Sequence, residues 1–292
     1  MRYAAIDIGS NAVRLLIADV MDTVSPVTFK KNTLIRVPLR LGDDAFIDHK
    51  ISPKKVENLI KTMSAFKNLM DVYGVTNYLA CATSAMREAA NGPEIVQQVQ
   101  EKAGITLEIV AGQREANIIY ANHLEEKLDR KNNYLYIDVG GGSTELSFFS
   151  DGVLVASQSF NIGTIRILDN QDKAETWKEM ELFLSAQTKA YKNITGIGTG
   201  GNINKLFRLS EEKEGKPMSF NQLKSLHHHL SSYSLKDRIQ VLGLNSDRAD
   251  VIIPAALIFI TVMKWAGIKN ILVPKMGMVD GIIQLLIEEN LN

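Results

Sequence analysis

The sequence has few of the features that mark secreted, zinc-binding or membrane proteins. Its single cysteine, Cys81, cannot form an intramolecular disulfide, and no Cys/His spacing typical of a zinc site occurs. The longest apolar run, from Val251 to Met263, contains Pro254 and is shorter than the roughly 20 residues of a transmembrane helix. The N-terminal apolar stretch includes Asp7 and has no small-residue cleavage site. We therefore expect a soluble, cytoplasmic protein with no membrane partner.

An excess of charge of one sign is also missing. Lys and Arg together number 33, as do Asp and Glu, so the formal net charge is zero. Proteins that coat nucleic acid by bulk charge are strongly basic, and we therefore expect no nucleic-acid partner. Hydrophobic residues make up 45% of the 292 residues, which is typical of a globular chain whose length suits two domains better than one.

Strand and turn signals occur twice in the same order. Residues 3–39 contain three strand candidates, and an Asp-x-Gly turn separates the first two. The order of strand, Asp-x-Gly turn, strand and strand returns over residues 134–160, where Asp151-Gly152 is a hairpin signal. This repetition predicts two related α/β domains, each with a mixed sheet and helices.

Helical periodicity and capping signals predict the remaining elements. Ser52, Pro53 and Gly74 bracket a helix, since they suit its N-cap, its first turn and its C-terminal stop. Further strands are predicted at 76–82, 105–110, 194–197 and 269–273, and further helices at 84–91, 93–103, 114–128, 173–190, 201–210, 219–231, 247–265 and 278–290.

The first candidate site is the turn Asp7-Ile-Gly9-Ser10-Asn11. Gly9 allows the backbone to approach a ligand closely, and Ser10 and Asn11 offer side-chain donors. Successive N–H groups in such a turn can form an anion-binding nest. A plain hairpin stabilised by side-chain to backbone hydrogen bonds is the alternative, and this segment alone leaves both readings open.

The second candidate is a glycine-rich turn between two carboxylates, Asp138 and Glu145. Consecutive glycines cost backbone entropy that a plain hairpin does not require, and they leave N–H groups that can surround a phosphate. The two carboxylates lie on either side of the turn, so both can face one site, where hard oxygen ligands suit Mg²⁺. The turn residues that we predict to bind phosphate are Gly140, Gly141, Gly142, Ser143 and Thr144.

The third candidate is the segment from Gly196 to Asn202, which fits the dinucleotide pattern G-x-G-x-x-G. The preceding strand is short and no acidic residue follows at the required distance. A phosphate-facing turn at a helix N-terminus, with Gly200 and Gly201, therefore fits better than NAD binding.

Two further residues are ambiguous when taken alone. Glu115 lies in the first turn of a predicted helix, where a carboxylate can simply interact with the helix dipole or can act as a general base. Arg87 follows a strand end and could bind phosphate bidentately or lie on a helix surface. The run His227-His228-His229 is consecutive on a helix, so its side chains diverge and we expect most of them to be solvated.

Seven motifs in order resemble the exopolyphosphatase / guanosine pentaphosphate phosphohydrolase family of the actin-like ATPase superfamily. They are DIGSNAVRLLI, ATSAMREA, AGQREANIIY, DVGGGSTEL, GTGGNI, RADVIIPAALI and GMVDGI. The resemblance implies two actin-like (ribonuclease H-like) domains with the active site in the cleft between them. Domain I would cover residues 1–123, with the C-terminal helix at about 278–292 returning to it, and domain II would cover residues 124–277.

The resemblance also implies the chemistry, namely stepwise removal of a terminal phosphate from polyphosphate or guanosine pentaphosphate. Glu115 is similar to the family's catalytic base, and Arg87 to its phosphate-binding arginine. Asp138, Glu145 and Asp7 are the expected metal ligands. Mg²⁺ is the expected cofactor, and the additional binding of a monovalent cation such as K⁺ is left open.

Some features depart from the family pattern. Val279 precedes Asp280-Gly281 where the family often has Arg or Lys, and Arg114 precedes Glu115 where the family is often acidic. The length resembles that of the short members, which lack an additional C-terminal helical region. Two alternatives stay open. One is a kinase or ATPase of the same superfamily, and the other is a non-catalytic sensor of polyphosphate or guanosine polyphosphates. The apolar late helices could pack against a second copy, which leaves a homodimer open.

Overall fold

A computed structural model describes residues 1–21, 27–122, 129 and 131–291. The chain divides into two compact units, one formed by Met1–Asn122 with Met278–Asn292 and the other by His123–Gly277. The predicted boundary between residues 123 and 124 lies outside the described residues, as does the predicted helix 114–128 from residue 123 onward.

The first unit contains a five-stranded mixed sheet in the order β3-β2-β1-β4-β5. The pairs β1–β2 and β2–β3 are antiparallel, whereas β4 and β5 run parallel to β1. The strands are β1 (Arg2–Ile8), β2 (Val13–Met21), β3 (Thr28–Val37), β4 (Asn77–Ala82) and β5 (Glu108–Ile109). The predicted strand 105–110 is thus too long, because only two of its residues pair with the end of β4.

Within the described residues up to 122, five helices of the first unit lie between or after these strands. They are α1 (Leu41–Ala45), α2 (Pro53–Tyr73), α3 (Ser84–Glu88), α4 (Gly92–Ala103) and α5 (Gly112–Tyr120). The capping signals predict α2 correctly, since Ser52 is extended and Gly74 is left-handed at φ 65°. The predicted helix 84–91 is too long, because Ala89 is extended at ψ 123° and ends α3.

The second unit contains a six-stranded sheet in the order β10-β11-β9-β6-β7-β8. Its strands are β6 (Asn133–Val139), β7 (Thr144–Ser150), β8 (Val153–Phe160), β9 (Ile194–Thr199), β10 (Met218–Ser219) and β11 (Asn270–Leu272). Apart from β10, the order and directions of the strands repeat those of the first sheet. The predicted fold class, two related mixed sheets with helices, is therefore confirmed.

The late part of the chain is mainly helical. Its helices are α6 (Thr164–Leu168), α7 (Ala174–Thr188), α8 (Gly200–Leu209), α9 (Phe220–Ser231), α10 (Leu235–Gln240), α11 (Ser246–Ala249), α12 (Ile252–Trp265) and α13 (Met278–Leu291). The predicted single helix 247–265 is wrong, because it is divided into α11 and α12. Pro254 has no N–H group, and it lies in the first turn of α12, where no intrahelical bond is needed.

Each unit has its own hydrophobic core. In the second unit, α12 packs among strand residues such as Leu146 and Phe148, so this apolar segment is a buried helix. In the first unit, α13 packs against β1 and α5, and an added Cβ at Gly281 would overlap the backbone of Ile118. Among the described residues, no helix is both long and apolar enough to cross a membrane.

Candidate functional site

The predicted residues of the first unit follow three strands that end at one edge of the sheet. Parallel pairing places Ile8 beside Ala82, and Ala82 beside Ile109. Backbone hydrogen bonds continue past these ends, because Thr83 N–H donates to Ile8 O at 3.1 Å and Val110 N–H donates to Ala82 O at 2.9 Å. The Asp7 turn, the start of α3 and the start of α5 therefore share this edge.

The turn after Asp7 is closed by a hydrogen bond from Gly9 N–H to Ala12 O, at 3.1 Å. Its carbonyl groups are held from outside, since Gly42 N–H donates to Ser10 O at 2.9 Å and Arg40 N–H donates to Asn11 O at 3.0 Å. In a trans peptide, the N–H group points opposite to the carbonyl. The N–H groups of residues 11 and 12 thus point away from the segment 40–42, as a nest requires.

Side chains fix the same turn and its neighbour. The Ser10 and Ser84 hydroxyl oxygens are 2.8 Å apart, and both residues are buried. Asp7 is also buried and forms an ion pair with Arg14, which faces it from β2. The carboxylate of Asp7 is therefore neutralised within its own unit.

Arg87 and Glu115, which the sequence places in separate motifs, lie together. Arg87 Nη1 is 3.9 Å from Glu115 Oε2 and donates to Val110 O at 2.8 Å. The bond to Val110 fixes the guanidinium group at the strand edge, while the Glu115 carboxylate, only 12% exposed, lies beside it. A carboxylate next to a fixed cation is well placed to orient a water molecule at a phosphate group.

The glycine turn of the second unit has the same construction. Gly140 N–H donates to Ser143 O at 2.9 Å, as Gly9 does to Ala12. Thr164 N–H donates to Gly140 O at 3.1 Å and Ile165 N–H donates to Gly141 O at 2.8 Å. With these carbonyls tied to the start of α6, the N–H groups of residues 141 and 142 point to the opposite side of the turn.

Hydroxyl groups beside the turn have defined partners. The Thr144 hydroxyl donates to Ile162 O at 2.6 Å, so it fixes the chain that enters α6. Ser159 donates to Glu145 Oε1 at 2.8 Å, and Thr199 donates to Asp138 Oδ2 at 2.6 Å. Each of the two carboxylates is thus oriented by a neighbouring hydroxyl.

The third turn, at residues 199–202, lies against the second. Because β6 and β9 are parallel, Thr199 is the register partner of Asp138. Gly200 is left-handed at φ 87°, and an added Cβ would lie 3.0 Å from Asp138 Oδ1, so this position requires glycine. Asn202 Nδ2 donates to Val139 O at 3.0 Å, which ties the start of α8 to the end of β6.

A cationic group follows the third turn. Arg248 Nη1 donates to Asn202 Oδ1 at 3.3 Å, and its Nη2 would be 2.7 Å from a Cβ at Gly201. Burial lowers the pKa of Lys205, and the nearby charges of Arg208 and Arg248 lower this pKa further. Positive charge is therefore concentrated where the turn leads into α8.

The two Asp-x-Gly turns differ in the residue that faces the aspartate. Asp7 pairs in register with Arg14, whereas Asp138 pairs in register with Glu145. Directly opposed residues of an antiparallel pair have neighbouring side chains on one face, and like charges there are destabilising. The second unit thus juxtaposes two carboxylates at a position where the first unit forms an ion pair.

This carboxylate pair suits a metal ion that takes only some of its ligands from the protein, as Mg²⁺ does, better than a metal ion that is coordinated by protein side chains alone. Among the described residues, no group of three or more His, Cys, Asp or Glu side chains is placed to hold a metal ion. Mg²⁺ is commonly bound through one or two carboxylates, with phosphate oxygens and water completing the coordination. The donor set Asp138 and Glu145 is of that kind.

Several residues near these turns were not predicted as site residues, among them Thr199, which holds Asp138. Gly163 and Arg166 contact the glycine turn from α6, and Arg248 contacts the third turn. The available signal for Gly163 is the Gly-Thr pair that follows the third strand of the repeat after two residues, a position that can start a helix. Arg248 lies within a motif quoted above, but its spacing gives no indication of its neighbour.

The shared strand order and the repeated turns define a two-domain protein of the actin-like class. The family model described as the Ppx/GppA phosphatase family matches residues 20–289. Since this range is well over half of the chain, the protein belongs to the Ppx/GppA phosphatase family. The resemblance stated from the seven motifs is therefore confirmed.

Two curated relatives illustrate the range of similarity. The chain is 27% identical to a bifunctional 3-dehydroquinate synthase/phosphatase of Fusobacterium nucleatum, over 92% of this chain and 44% of that protein. It thus spans less than half the length of that relative. It is 24% identical to exopolyphosphatase 1 of Mycobacterium leprae, over 97% of this chain and 88% of that protein.

Solved structures share the fold. An exopolyphosphatase from Cytophaga hutchinsonii superimposes with a TM-score of 0.85 at 20% identity, covering 99% of this chain and 98% of the other. An Aquifex aeolicus member of the Ppx/GppA family gives a TM-score of 0.77 at 24% identity, covering 100% and 99%. At these identities the likeness concerns the fold alone.

Proposed function

We propose that the protein is a phosphohydrolase that releases the terminal phosphate of inorganic polyphosphate, of guanosine pentaphosphate, or of both. Membership of the phosphatase family and the relatives named exopolyphosphatase support this substrate class. The observation that carries the proposal is the glycine turn at residues 140–143. Its outward amides lie beside two carboxylates, a combination that binds a phosphate group and a hard cation together.

In this proposal, Glu115 is the water-activating group. Glu115 orients water and accepts its proton while the water oxygen bonds to the terminal phosphorus. The phosphoanhydride bond then breaks, which releases orthophosphate and a chain that is one phosphate shorter. Arg87, fixed by Val110 O, offsets negative charge on the phosphate oxygens. The turn at residues 9–12 provides further amide donors.

The second unit positions the phosphate chain. The amides of the glycine turn bind phosphate oxygens, and Gly200 and Gly201 permit close backbone approach at the third turn. Asp138 and Glu145, each oriented by a hydroxyl, would hold Mg²⁺. When bound, this ion offsets the charge of the phosphate chain, whose transfer chemistry depends mainly on positioning and electrostatics.

Phosphate release tests the proposal most directly. We expect the protein to release orthophosphate from short polyphosphate, long polyphosphate and guanosine pentaphosphate when each is supplied with Mg²⁺, and to lose this activity in EDTA. The ratio of the three rates defines substrate preference. ATP-dependent phosphorylation of a small acceptor, without release from polyphosphate, would instead identify a kinase. Binding without turnover would identify a sensor.

The role of Glu115 is tested by Glu115→Gln. We expect the variant to fold and bind substrate but to lose about 10²–10⁴-fold in rate, because the amide cannot accept the proton of water. Glu108→Gln is the matched control, since Glu108 is an exposed carboxylate on β5 of the same unit. If both variants release phosphate at the wild-type rate, Glu115 is not the base.

A further inference from the structure

We infer that Arg166 is a positioning residue that fixes the glycine turn in its phosphate-binding shape. The inference rests on the proposed function of that turn and adds a residue to its machinery. Arg166 is buried at 6% exposure, and its Nε donates to Gly142 O at 2.6 Å. Its guanidinium group thus acts on the turn itself.

The glycine turn needs support from outside. Glycine populates both signs of φ, so three consecutive glycines do not define a conformation by themselves. The corresponding turn of the first unit has one glycine, and the hydroxyl of its Ser10 contacts that of Ser84. The second turn lacks side chains at residues 140–142, so its shape must be set by contacts to its backbone.

Those contacts come from α6. Two of the three glycine carbonyls accept bonds from backbone N–H groups, whereas the carbonyl of Gly142 accepts from the side chain of Arg166. In the first unit, the corresponding carbonyl of Asn11 is held by a backbone N–H group, that of Arg40. The last peptide of the glycine turn is therefore held at its carbonyl by a side chain, which mutation can remove.

The consequence concerns the amide of Ser143. Because the carbonyl of Gly142 points toward Arg166, the N–H group of Ser143 points to the opposite side, together with those of Gly141 and Gly142. Loss of the Arg166 bond lets this peptide rotate and removes one amide from the set. A phosphate group would then meet fewer aligned donors.

Close packing reinforces this arrangement. An added Cβ at Gly163 would overlap the carbonyl of Gly141 and lie 2.6 Å from the carbonyl carbon of Gly142. The start of α6 is thus in direct contact with the turn, and a methyl group there must displace the backbone that carries the amides. Gly163→Ala perturbs the turn independently of Arg166.

Two substitutions separate the hydrogen bond from the charge. In Arg166→Gln, the amide nitrogen stands at the same number of bonds from Cα as Nε of arginine, so a donor is retained. In Arg166→Met, a methyl group stands there, and both variants lose the positive charge. Arg238→Met is the matched control, because Arg238 also donates to backbone carbonyls of the second unit, those of Tyr233 and Ala249.

The probe is tripolyphosphate, titrated calorimetrically with Mg²⁺ present into full-length protein that carries Glu115→Gln, so that no turnover occurs. Wild-type and substituted residues at position 166 are compared on that background. We expect Arg166→Met to weaken the binding of tripolyphosphate by about tenfold to a hundredfold, because the substitution removes a hydrogen bond donated by a charged group. Arg166→Gln should recover most of the affinity, and Arg238→Met should bind as the wild type does. Equal affinities for the Met and Gln variants, or wild-type affinity for both, would overturn the inference.

A spectroscopic readout removes dependence on stability. In protein labelled with [¹⁵N]glycine, tripolyphosphate should shift the amide signals of Gly141 and Gly142 in the wild type and in Arg238→Met, but only weakly in Arg166→Met. If Arg166→Met does not fold, Arg166→Ala, which also lacks the donor to Gly142 O, takes its place, and unaltered binding by that variant would overturn the inference. Failure of the wild type to bind tripolyphosphate would instead refute the proposed function.

Discussion

Replacing Thr199 by valine tests how Asp138 is held. The Thr199 hydroxyl donates to Asp138 Oδ2 at 2.6 Å, and Thr199 is 3% exposed. Valine has nearly the same shape but no hydroxyl, so the change removes one bond and leaves the packing almost intact. Asp138 then keeps its register with Glu145 but loses the donor that orients it.

The magnitude follows from the type of bond. A hydrogen bond to an ionised group contributes about 1.5–3 kcal/mol, which corresponds to roughly tenfold to a hundredfold in an equilibrium constant. In the proposed role of Asp138, this loss falls on metal binding, because the carboxylate no longer starts in the coordinating orientation. We therefore expect the Mg²⁺ concentration for half-maximal phosphate release to rise by about that factor.

The assay is a Mg²⁺ titration of phosphate release, combined with direct binding of Mn²⁺ measured by electron paramagnetic resonance. Thr188→Val is the matched control, because the Thr188 hydroxyl is also buried in the second unit but donates to Leu184 O within α7, at 2.7 Å. Thr199→Ser should behave nearly as the wild type. If Thr199→Val needs no more metal than Thr188→Val, Asp138 is not a metal ligand.

Two further predictions concern packing and reactivity. Gly281→Ala should lower the free energy of unfolding, measured by urea denaturation, by about 1–3 kcal/mol, because the added methyl group would force α13 away from Ile118 on α5. A variant as stable as the wild type would contradict this contact. Burial raises the pKa of the Cys81 thiol from 9.0 to about 12, so a thiol reagent in mildly alkaline buffer should label Cys81 only after denaturation. The pKa of Cys81 is higher in the folded than in the unfolded protein, so the free energy of unfolding includes a contribution from keeping this thiol protonated. That contribution is fully present below pH 9.0 and is lost as the pH rises toward about 12.

Local signals predict much of the fold. The bounds of α2 follow from Pro53 and Gly74, because proline and a left-handed glycine act on their own turn of the chain. The hairpin at Asp151-Gly152 likewise has φ values of 52° and 76°, as its sequence predicts. The repeated strand order was also visible, since the Asp-x-Gly turn and its flanking strands recur within a short stretch.

Element lengths depend on partners that lie far away in sequence, and these were predicted less well. The strand expected at 105–110 pairs over two residues only, because its length is set by how far β4 extends beside it. The helix expected at 84–91 ends at Glu88, and the chain beyond it bonds to a distant residue, since Ala90 N–H donates to His49 O at 2.8 Å. Neither restriction is encoded in local periodicity.

In the candidate site, too, features that depend on local sequence were predicted, whereas contacts between distant residues were not. The glycines of all three turns were identified from the sequence, because glycine and short polar side chains mark a turn wherever it occurs. The pairing of Arg87 with Glu115 was not predicted, since it requires that β4 and β5 end at the same edge. Arg166 is 24 residues from the carbonyl it holds, and only the docking of α6 brings the two together.

In the proposed function, the difference between the two turns accounts for how a chain of zero net charge would bind a polyanion. In the first unit, Asp7 is neutralised by Arg14, so that turn presents amides without added negative charge. In the second unit, Asp138 faces Glu145, and the same scaffold presents two carboxylates beside its amides. A phosphate chain is repelled by such a pair unless a cation lies between them. In the proposed function the protein needs no basic surface, because amide dipoles, a few fixed arginines and a metal ion held by that repulsive pair would supply the positive potential locally.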